Sequence, residues 1–259
     1  IIIIRTLNFR GLDMFFKVLL LIFLSVHFIT YPLTIMRTIK NDLWGYVDID
    51  TGRIIIKPMY QYGGDFIDGI ARVKLNNKWG FIDINNKPLI PFVYDFVNNF
   101  SEGLASVKKN GKWGFINING KVVIDFKFSF AGNFREGLCV IADGKFYGYI
   151  DKKGKVIIKP VFDFASDFIE GIALVALDGC YGYINRSGDF IFKPILEDGG
   201  SFKNGFAWIK VNGKYGYINK DGQIVVEPEY DEASDVENGL GYVKKGDSVM
   251  KINLVKGSN

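Results

Sequence analysis

The chain has 259 residues, 48% hydrophobic and 23% charged, enough for a substantial buried core and unlike a disordered chain. Its formal charge of +4 comes from interleaved Lys and Asp/Glu with no long basic run, so it lacks the clustered face of a nucleic-acid binder. The two distant cysteines, Cys139 and Cys180, make neither a disulfide framework nor a cysteine zinc site.

In chain order, the first feature is an apolar leader. Met14-Phe-Phe-Lys17 reads as a natural start, which marks residues 1–13 as a candidate non-native lead. The run from Val18 to Ile35 is about as long as the roughly 20-residue helix that crosses a bilayer. Residues 1–37 are therefore expected to form a helical signal peptide or N-terminal membrane anchor, placing the protein in the cell envelope. No small-x-small cleavage site follows, and Lys17 before the run is matched by Arg37 and Lys40 after it. Cleaved signal and retained anchor stay open as alternatives.

Residues 38–259 are organised by an aromatic-glycine dipeptide. It recurs as Trp44-Gly45, Trp79-Gly80, Trp113-Gly114, Tyr147-Gly148, Tyr181-Gly182 and Tyr215-Gly216, with steps of 35 and then 34 residues. Each pair opens an alternating segment that reads as a strand, as in Trp113–Ile118. A turn dipeptide follows, Asn119-Gly120 in the third unit, and then a second strand that often ends at proline: Pro58, Pro160, Pro194, Pro228. A polar-aromatic connection comes next, with Phe66, Phe100, Phe134, Phe168 and Phe202 at matching places. Three residues beyond each is a glycine, Gly69 to Gly205, and Gly239 completes the row. A third strand, such as Leu104–Lys108, leads through Asn110-Gly111 to the next pair.

This pattern predicts an all-β fold of six tandem 34-residue repeats, each of three short antiparallel strands, with a degenerate cap at Asp247–Leu254. One unit cannot bury its aromatics alone, so neighbours must stack. The aromatic before each glycine is the expected core anchor, and the glycine admits a neighbouring backbone. An open solenoid-like array fits the short repeat and the atypical end. A closed, propeller-like ring is the alternative, with Thr34–Asn41 pairing the last segment.

Lys78-Trp-Gly-Phe-Ile-Asp83, Lys112-Trp-Gly-Phe-Ile-Asn117 and the Glu-Gly-Leu/Ile-Ala segments at 102–105 and 170–173 resemble the bacterial WG-repeat, or KWG-repeat, family. The resemblance covers about residues 38–254, with Tyr for Trp in units four to six. It implies an all-β repeat domain, often exported, and it brings no catalytic residue.

Chemistry is sparse. The only histidine, His27, lies in the leader, so the repeats offer no histidine triad or histidine metal site. Asp68, Glu102, Glu136 and Glu170 recur at one slot, and Asp48, Asp83 and Asp151 share another with Asn117, Asn185 and Asn219. A row of equivalent residues suits a scaffold better than an acid/base pair, which needs differing environments. Neither slot converges oxygens as a calcium loop does. No catalytic, cofactor-binding or metal-binding residue is assigned. The expectation is a non-enzymatic binding or scaffold module with protein or peptide partners. Glycan or cell-wall binding through exposed aromatics is the alternative, and a carboxylate-based hydrolase is a third reading.

Overall fold

A computed structural model describes residues 34–255. Most of the expected leader lies outside the described residues. Its last part does not: Ile35–Lys40 is a strand of the first sheet, so the repeat domain begins ahead of residue 38. Among the described residues no helix is long and apolar enough to cross a membrane.

Among the described residues the regular elements are 26 β-strands in seven antiparallel sheets. The third sheet is typical. Its strands run in chain order as Phe96–Val97, Leu104–Lys109, Lys112–Asn117 and Val122–Phe128. Each internal unit therefore has four strands, not the three expected. The additional opening strand is two residues long, too short for any alternation to show in sequence. It hides in the connection because only Asp95 separates it from the closing strand of the previous sheet, Pro88–Tyr94.

Tight turns set the register. Asn110 and Gly111 both have positive φ, 51° and 78°, as a two-residue hairpin between Lys109 and Lys112 requires. The turn before the closing strand is held by a side chain. Asn117 Oδ1 accepts the amides of Asn119 at 3.1 Å and Lys121 at 3.0 Å. Asp83 and Asp151 do the same in their units. The Asp/Asn slot is thus a turn clamp.

The third and closing strands pair through a bulge. Trp113 faces Phe128 and Phe115 faces Ile124, so the closing strand arches over the residue between, Gly114. A Cβ there would lie 2.7 Å from the Ile124 carbonyl oxygen. Gly45, Gly80, Gly148 and Gly182 meet equivalent carbonyls at 2.5–2.7 Å, and Gly216 meets Val226. The signature glycine is required by the strand beside it in its own sheet.

The core lies between sheets. Phe115 packs with Phe128, Phe134 and Ile141 between the third and fourth sheets, while Ile116 packs toward the second with Phe81 and Val97. Six such clusters among the described residues each join two successive sheets. Among the described residues, the first sheet, Ile35–Lys40, Leu43–Asp48 and Ile54–Tyr60, has no opening strand, and the last, Glu232–Ala233, Leu240–Lys245 and Ser248–Asn253, has no closing one. Within Thr34–Asn41 the strand Ile35–Lys40 does form, paired with Leu43–Asp48. In the last sheet Met250 faces Val243 where Gly216 faces Ile209 one unit earlier. A side chain therefore stands in the slot that every bulged closing strand needs empty.

Candidate binding surface

The signature aromatics form a row of rings. Trp44, Tyr62, Trp79, Phe96, Trp113, Phe130 and Tyr147 follow one another with centroids 4.9–6.3 Å apart. Signature rings alternate with rings of the two-residue opening strands. Phe164 and Tyr181 form a further pair at 5.9 Å, and the later opening strands carry Asp198 and Glu232 instead. Trp79 and Trp113 are only 7% and 9% exposed, because their neighbours in the row cover them. Tyr147, Tyr181 and Tyr215 are half-buried.

The deepest anchors sit one place beyond the glycine. Tyr46, Phe81, Phe115, Tyr149, Tyr183 and Tyr217 are at most 1% exposed, and each of the first five meets a connection phenylalanine at 4.7–5.1 Å. Sequence reasoning placed the anchor on the signature ring; the residue two along the same strand shares its face and lies nearer the centre of the seam. The Tyr149 hydroxyl donates to the Ser166 carbonyl at 2.7 Å, and Tyr183 donates to Gly200 at 2.8 Å, both in the next sheet. Burial pushes both phenols well above the ordinary tyrosine range.

The acidic row is a tether between sheets. Each member stands with a glycine in a turn where both residues have positive φ, as at Glu136 (51°) and Gly137 (78°). The Glu102 carboxylate accepts the Gly137 amide at 3.0 Å, and Glu170 accepts Asn204 and Gly205 at 2.8 and 2.9 Å. A cation from the next sheet flanks each of the three glutamates: Lys152 at 3.0 Å from Glu102, Arg186 at 3.6 Å from Glu136 and Lys220 at 4.0 Å from Glu170. Burial works to raise the Glu102 pKa, but hydrogen bonds from Lys152 and the Gly137 amide outweigh it and hold it below the ordinary value. The arrangement brings equivalent carboxylates to backbone amides and assembles no carboxylate pair of differing environment.

A second tie was not legible in sequence. Arg37 Nε meets Asp65 at 2.6 Å, and Trp208 Nε1 donates to Asp235 at 2.9 Å, one slot reaching the same slot of the next sheet. Arg72 occupies the first of these slots, but its counterpart is Asn99. Its Nη1 donates to the Val97 carbonyl at 3.0 Å, and its guanidinium lies 5.6–5.9 Å from the Tyr62, Trp79 and Phe96 rings. The Arg72 Nε is buried with no hydrogen-bond partner. Among the described residues no cluster of His, Cys, Asp and Glu is arranged to hold a metal, Cys139 is buried, and Cys180 is exposed.

One edge of each internal sheet is its closing strand, where apolar residues recur in the open. Val122, Val123, Val156, Ile157, Ile224 and Val225 are all exposed.

These sheets, seams and glycine slots define a tandem all-β repeat protein. The model of the WG containing repeat matches at residues 44–79, 79–113, 113–144, 147–179, 181–215 and 215–247, and the chain belongs to that family. No curated protein matches the chain. Solved structures with related arrangements include Hsv2 of Kluyveromyces lactis, at 9% identity and TM-score 0.42 over 74% of each chain. The dihydro-heme d1 dehydrogenase NirN is similar at 15% identity and TM-score 0.46, over 85% of this chain and 60% of that one. PorZ, a surface component of the type-IX secretion system of Porphyromonas gingivalis, is similar at 10% identity and TM-score 0.36, over 86% and 36%.

Proposed function

We propose that this protein is a non-enzymatic binding or scaffold module of the bacterial cell envelope that engages protein or peptide partners along its closing-strand edges. The observation that carries the reading is the set of exposed valine and isoleucine pairs on the closing strands of the third, fourth and sixth sheets. An edge strand also presents unpaired backbone groups, so an extended segment can add to it while its side chains meet those pairs. The apolar run ahead of the repeats supports delivery to, or retention at, a membrane.

The glycan reading draws on the aromatic row, where Phe130 and Phe164 are exposed at 41% and 42%. Trp79 and Trp113 are buried and their neighbours Tyr62 and Phe96 are only partly exposed, so the row offers isolated rings and no continuous platform. That favours the partner reading. We also read the seven sheets as an open array, since the hydrophobic clusters join only successive sheets and Met250 obstructs a closing strand on the last. Small-angle scattering tests this: a radius as small as that of a closed single domain of this size would count against it.

The functional test is crosslinking capture from an envelope extract, with wild type and a Val123→Lys/Ile157→Lys double variant. Loss of a defined protein partner in the variant, with an unchanged thermal melt, supports the proposal. Equal capture by both, or saturable salt-resistant co-sedimentation with insoluble cell-wall polysaccharide alone, overturns it.

A further inference from the structure

The carboxylate tether is missing at the last seam, where Asn204 Oδ1 accepts only the Gly239 amide at 3.4 Å, and it is broken more fully at another. Between the second and third sheets the carboxylate slot holds Asp68, one methylene shorter than the glutamate at the next three seams. The turn whose amides it would receive is intact, with Glu102 and Gly103 at φ 51° and 87°. No side chain among the described residues accepts the Glu102 and Gly103 amides, although the equivalent amides at 170–171 and 204–205 each carry a carboxylate. The flanking cation is absent too, because Ile118 stands where Lys152, Arg186 and Lys220 stand later.

A cavity of about 210 Å³ opens at this place. Asp68, Glu102 and Gly103 lie on its wall, with Asn99 beside them, and Ile67, Ile70, Phe81, Phe100 and Ile118 form the rest. It is an apolar recess bordered by the two backbone groups that, in this same fold, receive a carboxylate. Paired amides in a left-handed turn form an anion-binding concavity, and apolar recesses with a few polar groups are the usual form of small-ligand sites.

We propose that this recess binds a carboxylate attached to a small branched apolar group. The carboxylate takes the Glu102 and Gly103 amides in place of the missing glutamate, and the apolar group lies against Ile70, Phe81 and Ile118. Asp68 opposes the anion by its charge and keeps binding weak. The same chemistry is offered by a free branched-chain acid and by the C-terminal residue of a peptide. The site stands independently of the closing-strand edges.

The test is an amide NMR titration of the full chain with N-acetyl-leucine, 4-methylpentanoate and the neutral control N-acetyl-leucinamide. Saturable shifts of Glu102 and Gly103 with both acids and not with the amide are expected. Tighter binding of N-acetyl-leucine identifies the peptide terminus as the better source, and tighter binding of 4-methylpentanoate identifies the free acid. Asp68→Asn removes the opposing charge and should tighten binding about threefold to tenfold. Asp68→Glu supplies the missing carboxylate and should abolish it. Absence of shifts in both wild type and Asp68→Asn, equal shifts with the amide, or unchanged binding in a folded Asp68→Glu overturns the proposal.

Discussion

Glu136 and Gly171 lie 35 residues apart, yet the carboxylate of one accepts the backbone amide of the other at 2.9 Å, and the same carboxylate accepts Glu170 at 2.7 Å. A side chain of one turn thus caps the turn of the next. Glu136→Ala leaves two amides without that acceptor and should cost about 1–3 kcal/mol in urea denaturation. Glu136→Asp should lose nearly as much, since Asp68 shows that the shorter side chain leaves the turn uncapped. A loss below about 0.5 kcal/mol in both would mean that water replaces the carboxylate without penalty.

The tethers also set a response to acid. Glu102 and Asp95 both titrate below the ordinary carboxylate range. For Asp95 the causes are hydrogen bonds from Lys78 and then the Gly111 amide. A group whose pKa is lower when folded binds more protons when unfolded, so its contribution is complete above the unfolded value, near pH 4–4.5, and fades as pH falls through the folded value. Urea midpoints should therefore be flat with respect to these groups between pH 7 and 5 and decline below about pH 4.5. Glu102→Gln should show a shallower decline.

Two glycines of one hairpin separate two reasons for glycine. Gly144 has φ 70° with open space around it, so Gly144→Ala should cost only about 1 kcal/mol of backbone strain. At Gly148 a Cβ would fall 2.5 Å from the Ile158 carbonyl oxygen and 2.6 Å from the Pro160 nitrogen. Gly148→Ala should cost about 3 kcal/mol or more and expose the Val156–Phe162 amides to hydrogen exchange. Equal melting temperatures for the two variants would contradict the bulge geometry.

Arg72 lacks the carboxylate that Asp65 offers Arg37. Asn99→Asp places one at the equivalent position and should stabilise the protein by up to about 1 kcal/mol, the upper range for a partly exposed pair. The gain should shrink at 0.5 M salt and vanish in an Arg72→Met background.

The deep tyrosines allow a check on the seam itself. Phe81 and Phe115 fill the same slot without a hydroxyl, so Tyr149→Phe keeps the packing and orphans only the Ser166 carbonyl. A loss of about 1 kcal/mol in the melt is expected.

The repeat period, the strand opened by each aromatic-glycine pair and the Asp/Asn turn were legible because each leaves a mark in every unit. The two-residue opening strand was not, since Phe96–Val97 is too short to alternate and Asp95 is the whole boundary between two sheets. The slot of Phe115 and Tyr149 is as regular in sequence as the signature ring, and only the stacking of sheets shows that it is the more central. The acidic row was visible as a row. Its use was not, because a partner one full repeat away appears only when two sheets are set face to face. The carboxylate recess was hidden for the same reason: an Asp for Glu at position 68 is a small change in a list of equivalents and a gap in the stacked structure.

Met250 bears on how such a chain can change its length. A closing strand lies only over glycine, and every internal unit carries that glycine. A unit duplicated between existing ones meets a compatible neighbour on both sides. A unit joined after Leu254 would follow a sheet that cannot complete itself until position 250 has first mutated. Growth by recombination is therefore open where the glycine is kept and closed where Met250 stands, so the sheet that carries Met250 is expected to persist while glycine-bearing copies are gained and lost.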